Sequence, residues 1–361
     1  MWDKQTARAL STIIIFAMVG AFCYGAWKVL IAVLFSIFLA YLLDPLVSFV
    51  QRKSKLSAGS RSRAIAQVYV GLGIVLAVLI LVAGPKLQSE GKRLTSAAPM
   101  WMDQLTTGKI ALQIGVKHGW SVSTAEQVQH WLTDHRQDMM HWAGRLGSYT
   151  AALVVNSVWL VVVPILAVFF LRDGRSFADS LIEVFDRRRQ RQFLSALLND
   201  LDTMLARYIR AQLILAALTI VVFTAVLTSM RLSYSIVLGV LGGVLEFIPV
   251  VGPLVAAVAI FAVAIFTAYS HPFMVLIFLG MWRLIQDYVT SPRIMGSSVE
   301  LHPLAALFAI LSGAEVAGVI GVYLSIPVAA TLRIFWRRWR MYSAIATSTA
   351  DSELPPRRLT G

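Results

Sequence analysis

The sequence predicts an all-α, polytopic integral membrane protein. Of its 361 residues, 58% are hydrophobic and only 14% are charged, whereas soluble domains run at about 25% charged. Apolar runs of about twenty residues, the length that crosses a bilayer core, recur along the chain. Basic residues gather beside those runs and seldom inside them. The net charge of +13 therefore reads as topology and attraction to anionic lipid headgroups. Membrane lipid is the expected partner, and nucleic acid is not. The lone Cys23 excludes an intrachain disulfide and a Cys-based metal cluster, and reads as a small packing residue.

The first span is expected over residues 9–26 and the second over 29–50. Only Trp27-Lys28 separates them, which predicts an antiparallel hairpin. No A-x-A site follows the first run, so it reads as a retained span and not a signal peptide. A basic loop, "QRKSKLSAGSRSR" at 51–63, precedes a third span at 64–84 that is expected to end at Pro85. Residues 1–84 thus form a unit of three transmembrane helices.

Residues 85–148 are the long polar excursion, expected as a small extracytoplasmic helical cap. Trp131, Leu132, His135, Met139, Trp142 and Leu146 draw an apolar stripe at helical spacing there. His118, His130, His135 and His141 match no compact ligand spacing and read as exposed helix histidines, so neither a metal site nor a cofactor is expected.

The fourth span covers 150–171 and ends at "RDGRSF". An amphipathic helix over 177–205 follows, with Arg187, Arg188, Arg189 and Arg191 near its apolar stripe. That pattern suits a helix lying along the cytoplasmic surface. Together these form the segment 149–206. The fifth span, 208–230, opens a transport core over 207–340, and 341–361 reads as a disordered cytoplasmic tail.

Lys4 and Arg8, the 51–63 loop, the 172–210 segment and the tail "RIFWRRWR" should all be cytoplasmic by the positive-inside rule. Both termini are then inside, and the excursion is outside. Parity requires two later apolar regions to reverse direction. The region 235–269 divides around "FIPVVGP" into helices of about 20–23 Å, short for a core of about 30 Å. The region 304–333 can turn at "SGAEVAG". About six full spans plus two broken, re-entrant hairpins result, one entered from each side.

Each predicted tip carries a carboxylate: Glu246 and Glu315. A charge at mid-bilayer costs about 2.5–3.5 kcal/mol, so each should face protein or water and serve transport. The alternative reading has both in interfacial water, capping helices. Gly242, Gly243, Pro249, Gly252 and Pro253 permit the first break; Gly313, Gly318 and Pro327 serve the second. Freed carbonyls and helix ends at such breaks hold ions or polar solutes in broken-helix transporters. Arg283 and Asp287 sit at i,i+4 and either neutralise each other or leave Arg283 to balance a tip glutamate. Asp44, beside Pro45 near the inner end of span two, reads equally as structural or functional. Nothing resembles a nucleotide loop or a nucleophile–base pair, so no enzyme is expected.

Six pieces, "YLLDPLV", "FFLRDG", "YIRAQL", "LEFIPVVGPLV", "PRIMGSSVELHPL" and "GVYLSIPVAA", resemble the autoinducer-2 exporter family of bacterial membrane proteins. The family motifs fall here on Arg172, Asp173, Gly174, Tyr208, Arg210, Gln212, Pro292, Arg293, Gly296, His302 and Pro303. Asp44 stands where the family pattern has Asn. The resemblance implies an exporter or permease of the bacterial inner membrane with cytoplasmic termini, and a ring-like homo-oligomer, a pentamer being the expected size. Some relatives are associated with export of the quorum-sensing signal autoinducer-2, and others with monovalent cation/proton exchange. The leading expectation is a secondary transporter of a small polar solute coupled to H+ or Na+, with Glu246 as its coupling residue. A sodium/proton antiporter and a membrane scaffold are the alternatives.

Overall fold

The computed structural model describes residues 4–54, 59–111, 115, 121–138, 140–141, 157–295 and 301–352. The described residues are almost entirely helical. The helices are α1 (Lys4–Gly25), α2 (Trp27–Lys53), α3 (Arg61–Thr106), α4 (Val122–Asp134), α5 (Ser157–Glu183), α6 (Arg188–Ser229), α7 (Ser235–Leu245), α8 (Val251–Phe266), α9 (Pro272–Ile285), α10 (Ser291–Met295) and α11 (Pro303–Ser352). A π-turn, Gln286–Thr290, joins α9 to α10. Among the described residues, five stretches are long and apolar enough to cross a membrane: Trp27–Lys53, Arg61–Thr106, Arg188–Ser229, Pro272–Ile294 and Pro303–Tyr342. On α3, the large apolar residues from Ile74 to Val82 are all exposed, a surface suited to lipid and not to water.

The chain forms two compact units, residues 1–72 with 149–178, and residues 73–148 with 179–361. In the first, Ala40, Leu43 and Val47 of α2 bury against Ala64, Ile65 and Val68 of α3 and against Ala167 and Leu171 of α5. Arg61 ties the three helices together. It donates from Nη2 to Asp44 Oδ1 at 2.7 Å and from Nε to the Leu171 carbonyl at 2.5 Å. Tyr69 Oη donates to the Pro164 carbonyl at 2.9 Å.

Several expected boundaries move. The antiparallel turn at Trp27-Lys28 does not form. Ala26 keeps near-helical angles (φ −93, ψ 9), and the helical ladder passes through it, from Ala26 N–H to Phe22 and from Leu30 N–H to Ala26. Pro85 lies inside α3 and does not end it. The amphipathic stretch expected over 177–205 is divided between the end of α5 and the start of α6, and α6 continues unbroken into the fifth span. The segment read as a disordered tail is helical as far as Ser352. Met139, Trp142, Leu146 and His118 lie outside the described residues.

In the second unit, α7 runs down α6 and α8 returns. Leu238 of α7, Ile260, Val263 and Ala264 of α8, Phe223 and Leu227 of α6, and Val275 and Leu279 of α9 share one apolar core. The distal part of α3 packs at the far end of this hairpin, where Trp101 stacks on Phe266 with centroids 5.3 Å apart. The Glu90 carboxylate accepts from Val237 N–H at 3.2 Å, satisfying an open donor in the first turn of α7. Ile110, Ala111 and Leu132 of the excursion cluster with Ile265 and Phe266.

Helix α11 is two helices joined by a reversal. Ala317 (φ −139, ψ 19) and Gly318 (φ 58, ψ −136) leave helical geometry. Gly313 and Gly321 then lie backbone to backbone, so that a Cβ on either collides with the carbonyl of the other. Eight residues of straight helix would hold them about 12 Å apart. The second arm is fixed to the start of α6. Arg338 donates to both Asp200 oxygens at 2.7 Å, Arg337 to Oδ2 at 3.2 Å, and Arg189 to the Tyr342 carbonyl at 3.0 Å. Phe193 packs among Phe335, Trp339 and Tyr342.

Candidate functional site: a carboxylate buried at a helix break

Close packing of α7 on α6 sets the position of Glu246. A Cβ at Gly243 would stand 2.7 Å from the Ala216 carbonyl, and one at Gly242 would stand 2.6 Å from the Phe223 ring. Residues without side chains let the two backbones touch. Glu246, the C-cap of α7, is thereby delivered against the Gln212–Thr219 stretch of α6. The chain then leaves helical geometry. Pro249 lies in the break, Val250 takes a left-handed φ of +65, and Pro253 falls in the first turn of α8. Gly252 is pressed against Leu245, where any Cβ would meet the carbonyl oxygen.

Glu246 is 8% exposed, and its polar neighbours Gln212, Thr219 and Gln286 are 5%, 1% and 2% exposed. Gln212 Nε2 donates to the Glu246 carbonyl. Thr219 Oγ1 donates to the carboxylate at 3.4 Å and accepts from Gln286 Nε2 at 3.1 Å. Gln286 opens the π-turn, whose wider winding (i to i+5) brings an amide from α9 into this network. A carboxylate taken out of water needs such donors, because burial without partners costs several kcal/mol.

The second broken region meets the first on α6. Tyr323, five residues past the Gly318 turn, has its ring centroid 6.4 Å from that of Phe247. Tyr208 lies one turn before Gln212 on α6, and Gln212 holds the Glu246 carbonyl. The motif pieces around Tyr208, Glu246 and Tyr323 therefore converge.

The remaining expected residues are placed as follows. Glu315 is exposed on the first arm of α11, so the two glutamates do not share one environment. Arg283 and Asp287 pair at 2.9 Å, both about two-fifths exposed. Asp44 is bound to Arg61 in the first unit. Arg172 and Asp173 pair at 3.0 Å on an exposed stretch, followed by Gly174. Arg210, Pro292 and Arg293 are exposed, Pro327 is buried in the second arm, and Gly296 lies outside the described residues. His302 Nδ1 accepts from Leu304 N–H at 3.3 Å, and Pro303 opens α11, the position where a missing N–H costs least. Sequence reasoning did not single out Arg61, Thr219, Gln286 or Tyr323. For Thr219 and Gln286 the available signal was a polar residue inside an apolar span.

A helical fold with several lipid-suited faces and a carboxylate buried at a broken helix defines a multi-pass membrane protein. The chain belongs to the AI-2E transporter family, whose model, "AI-2E family transporter", matches residues 11–341. Its role is therefore in membrane transport. It is 26% identical over 345 residues to YrrI of Bacillus subtilis, described as a transport protein, covering 92% of this chain and 94% of the relative. It is 22% identical over 350 residues to the AI-2 transport protein TqsA of Escherichia coli, covering 96% and 97%. A transport protein of Mycobacterium tuberculosis is 24% identical over 335 residues, covering 91% and 88%.

Proposed function

We propose that this protein is a secondary transporter that exports a small polar solute across the bacterial inner membrane, with autoinducer-2 as the first solute to test. The name of the Escherichia coli relative supports that choice. The two broken regions are taken as opposed re-entrant hairpins. Transport proceeds by alternating access around the point where they meet, with H+ or Na+ as the coupling ion. The working unit is a ring-like homo-oligomer. The basic ends of α6 and α11 face the cytoplasm, as their arginines favour.

One observation carries this reading: Glu246, in the middle of an apolar region, is buried at a helix break among Thr219, Gln212 and Gln286. A carboxylate so placed is costly for stability alone and suited to binding and releasing a cation. Purified protein in proteoliposomes, with a trapped pH dye, tests it. Glu246→Gln is expected to reduce transport at least tenfold and to flatten its pH dependence. Unchanged transport with an unchanged pH profile rules out the coupling role. Proton flux evoked by sodium alone, with no organic solute, assigns the protein to cation/proton exchange at the same carboxylate.

A further inference from the structure

Tyr208 is 2% exposed, and its hydroxyl has no hydrogen-bond partner among the described residues, although buried hydroxyls are ordinarily paired. It does not face a purely apolar core. One turn along α6, on the same face, Gln212 holds the Glu246 carbonyl. Phe247, the residue after Glu246, has its ring 6.4 Å from that of Tyr323. The unsatisfied hydroxyl therefore stands one turn from the residue that holds the Glu246 break, next to which the two broken regions meet.

We propose that Tyr208 Oη contacts the transported solute, in a subsite completed by Gln212, Phe247 and Tyr323, and that it selects neutral solutes bearing hydroxyl or carbonyl groups. A phenol offers one donor and an acceptor, without charge. Gln212 spends its Nε2 on Glu246 and keeps its Oε1 as an acceptor. The two rings cover the apolar face of a compact organic molecule. A cation gains more from the Glu246 carboxylate than from this group. Solute selection and ion coupling thus fall to adjacent but separate residues. The inference rests on the reading of the Glu246 break as the transport site.

The test is Tyr208→Phe, which removes one oxygen and keeps the ring. In proteoliposomes given autoinducer-2, the expected result is a KM raised about tenfold, with the maximal rate within twofold of the parent. A KM within twofold of the parent overturns the proposal and leaves the Glu246 reading standing. Should the parent protein move no autoinducer-2, that choice of solute has failed, and accessibility decides about Tyr208. In a Cys23→Ser background, Tyr208→Cys should react with methyl methanethiosulfonate in native membranes at least ten times faster than Leu227→Cys, a control in the closed core. Equal rates overturn the proposal.

Discussion

Thr219 is the hub of the buried network, because one hydroxyl serves two partners in opposite senses, accepting from Gln286 and donating to Glu246. Thr219→Val keeps the shape and removes both bonds. Losing bonds in a buried network costs about 1–3 kcal/mol, so a lower melting temperature in detergent and roughly tenfold slower transport are expected, with Thr219→Ser restoring both. Arg61 is the contrasting case. Its two bonds are both to groups of the first unit. Arg61→Met should lower the melting temperature while leaving the KM of any transported solute unchanged, and a changed KM would remove it from a purely structural role. At this scale the sequence was informative where a residue violated its surroundings. Glu246 stood out as a charge in an apolar run. Thr219 and Gln286 did not, because polar side chains are tolerated inside spans and only the fold brings them to the carboxylate. Asp44 looked equally odd in sequence, and its partner lies on another helix, beyond the reach of local pattern.

Among the elements, the places where helices break were legible and their packing was not. Glycine and proline marked where the helices break, around Val250 and at Gly318. The contact of Gly313 with Gly321 depends on how two arms close, which periodicity does not encode. Gly318 combines a φ of 58 with a ψ of −136, a region open essentially to glycine alone. Gly318→Ala should therefore destabilise by about 1–3 kcal/mol, read as a shift in detergent unfolding. Proline misled in one place: Pro85 sits within α3, and the missing donor does not end the helix there. The start of α6, outside the apolar span, carries a testable charge contact. The Arg338 guanidinium, with Arg337 beside it, holds the Asp200 carboxyl below the usual carboxylate range. A depressed value in the folded state means that the pair contributes stability above the ordinary carboxylate value of about 4. That contribution is lost as pH falls through the depressed value. Asp200→Asn should cost roughly 1 kcal/mol near neutral pH, and the difference from the parent should close in acid.

For the whole molecule, composition and the distribution of arginines were enough to predict a helical membrane protein, because solvation by lipid constrains every span alike. The number of crossings was less accessible. The first apolar run continues into α2 through Ala26 instead of folding back on it. A turn of one or two residues reads the same in sequence whether it bends or reverses. Orientation can be measured directly. In a Cys23→Ser background, cysteine at Arg340 is expected to react with a membrane-impermeant thiol reagent only in inverted vesicles. Cysteine at the exposed Glu126 of α4 should react only in right-side-out ones. Labelling of both from one side contradicts the proposed arrangement.

The π-turn has a consequence for comparing this protein with its relatives. An α-helix advances about 100° per residue, so a turn that accommodates one extra residue fixes the angular phase of everything beyond it. Deleting a single residue from Gln286–Thr290 would scarcely alter length, charge or hydropathy. It would, however, swing Pro292 and Arg293 to another side of the helix. Two chains can therefore match in every bulk property along this stretch and still differ in which side of the helix carries the next motif residues. One residue of spacing, invisible to a hydropathy profile, is what separates them.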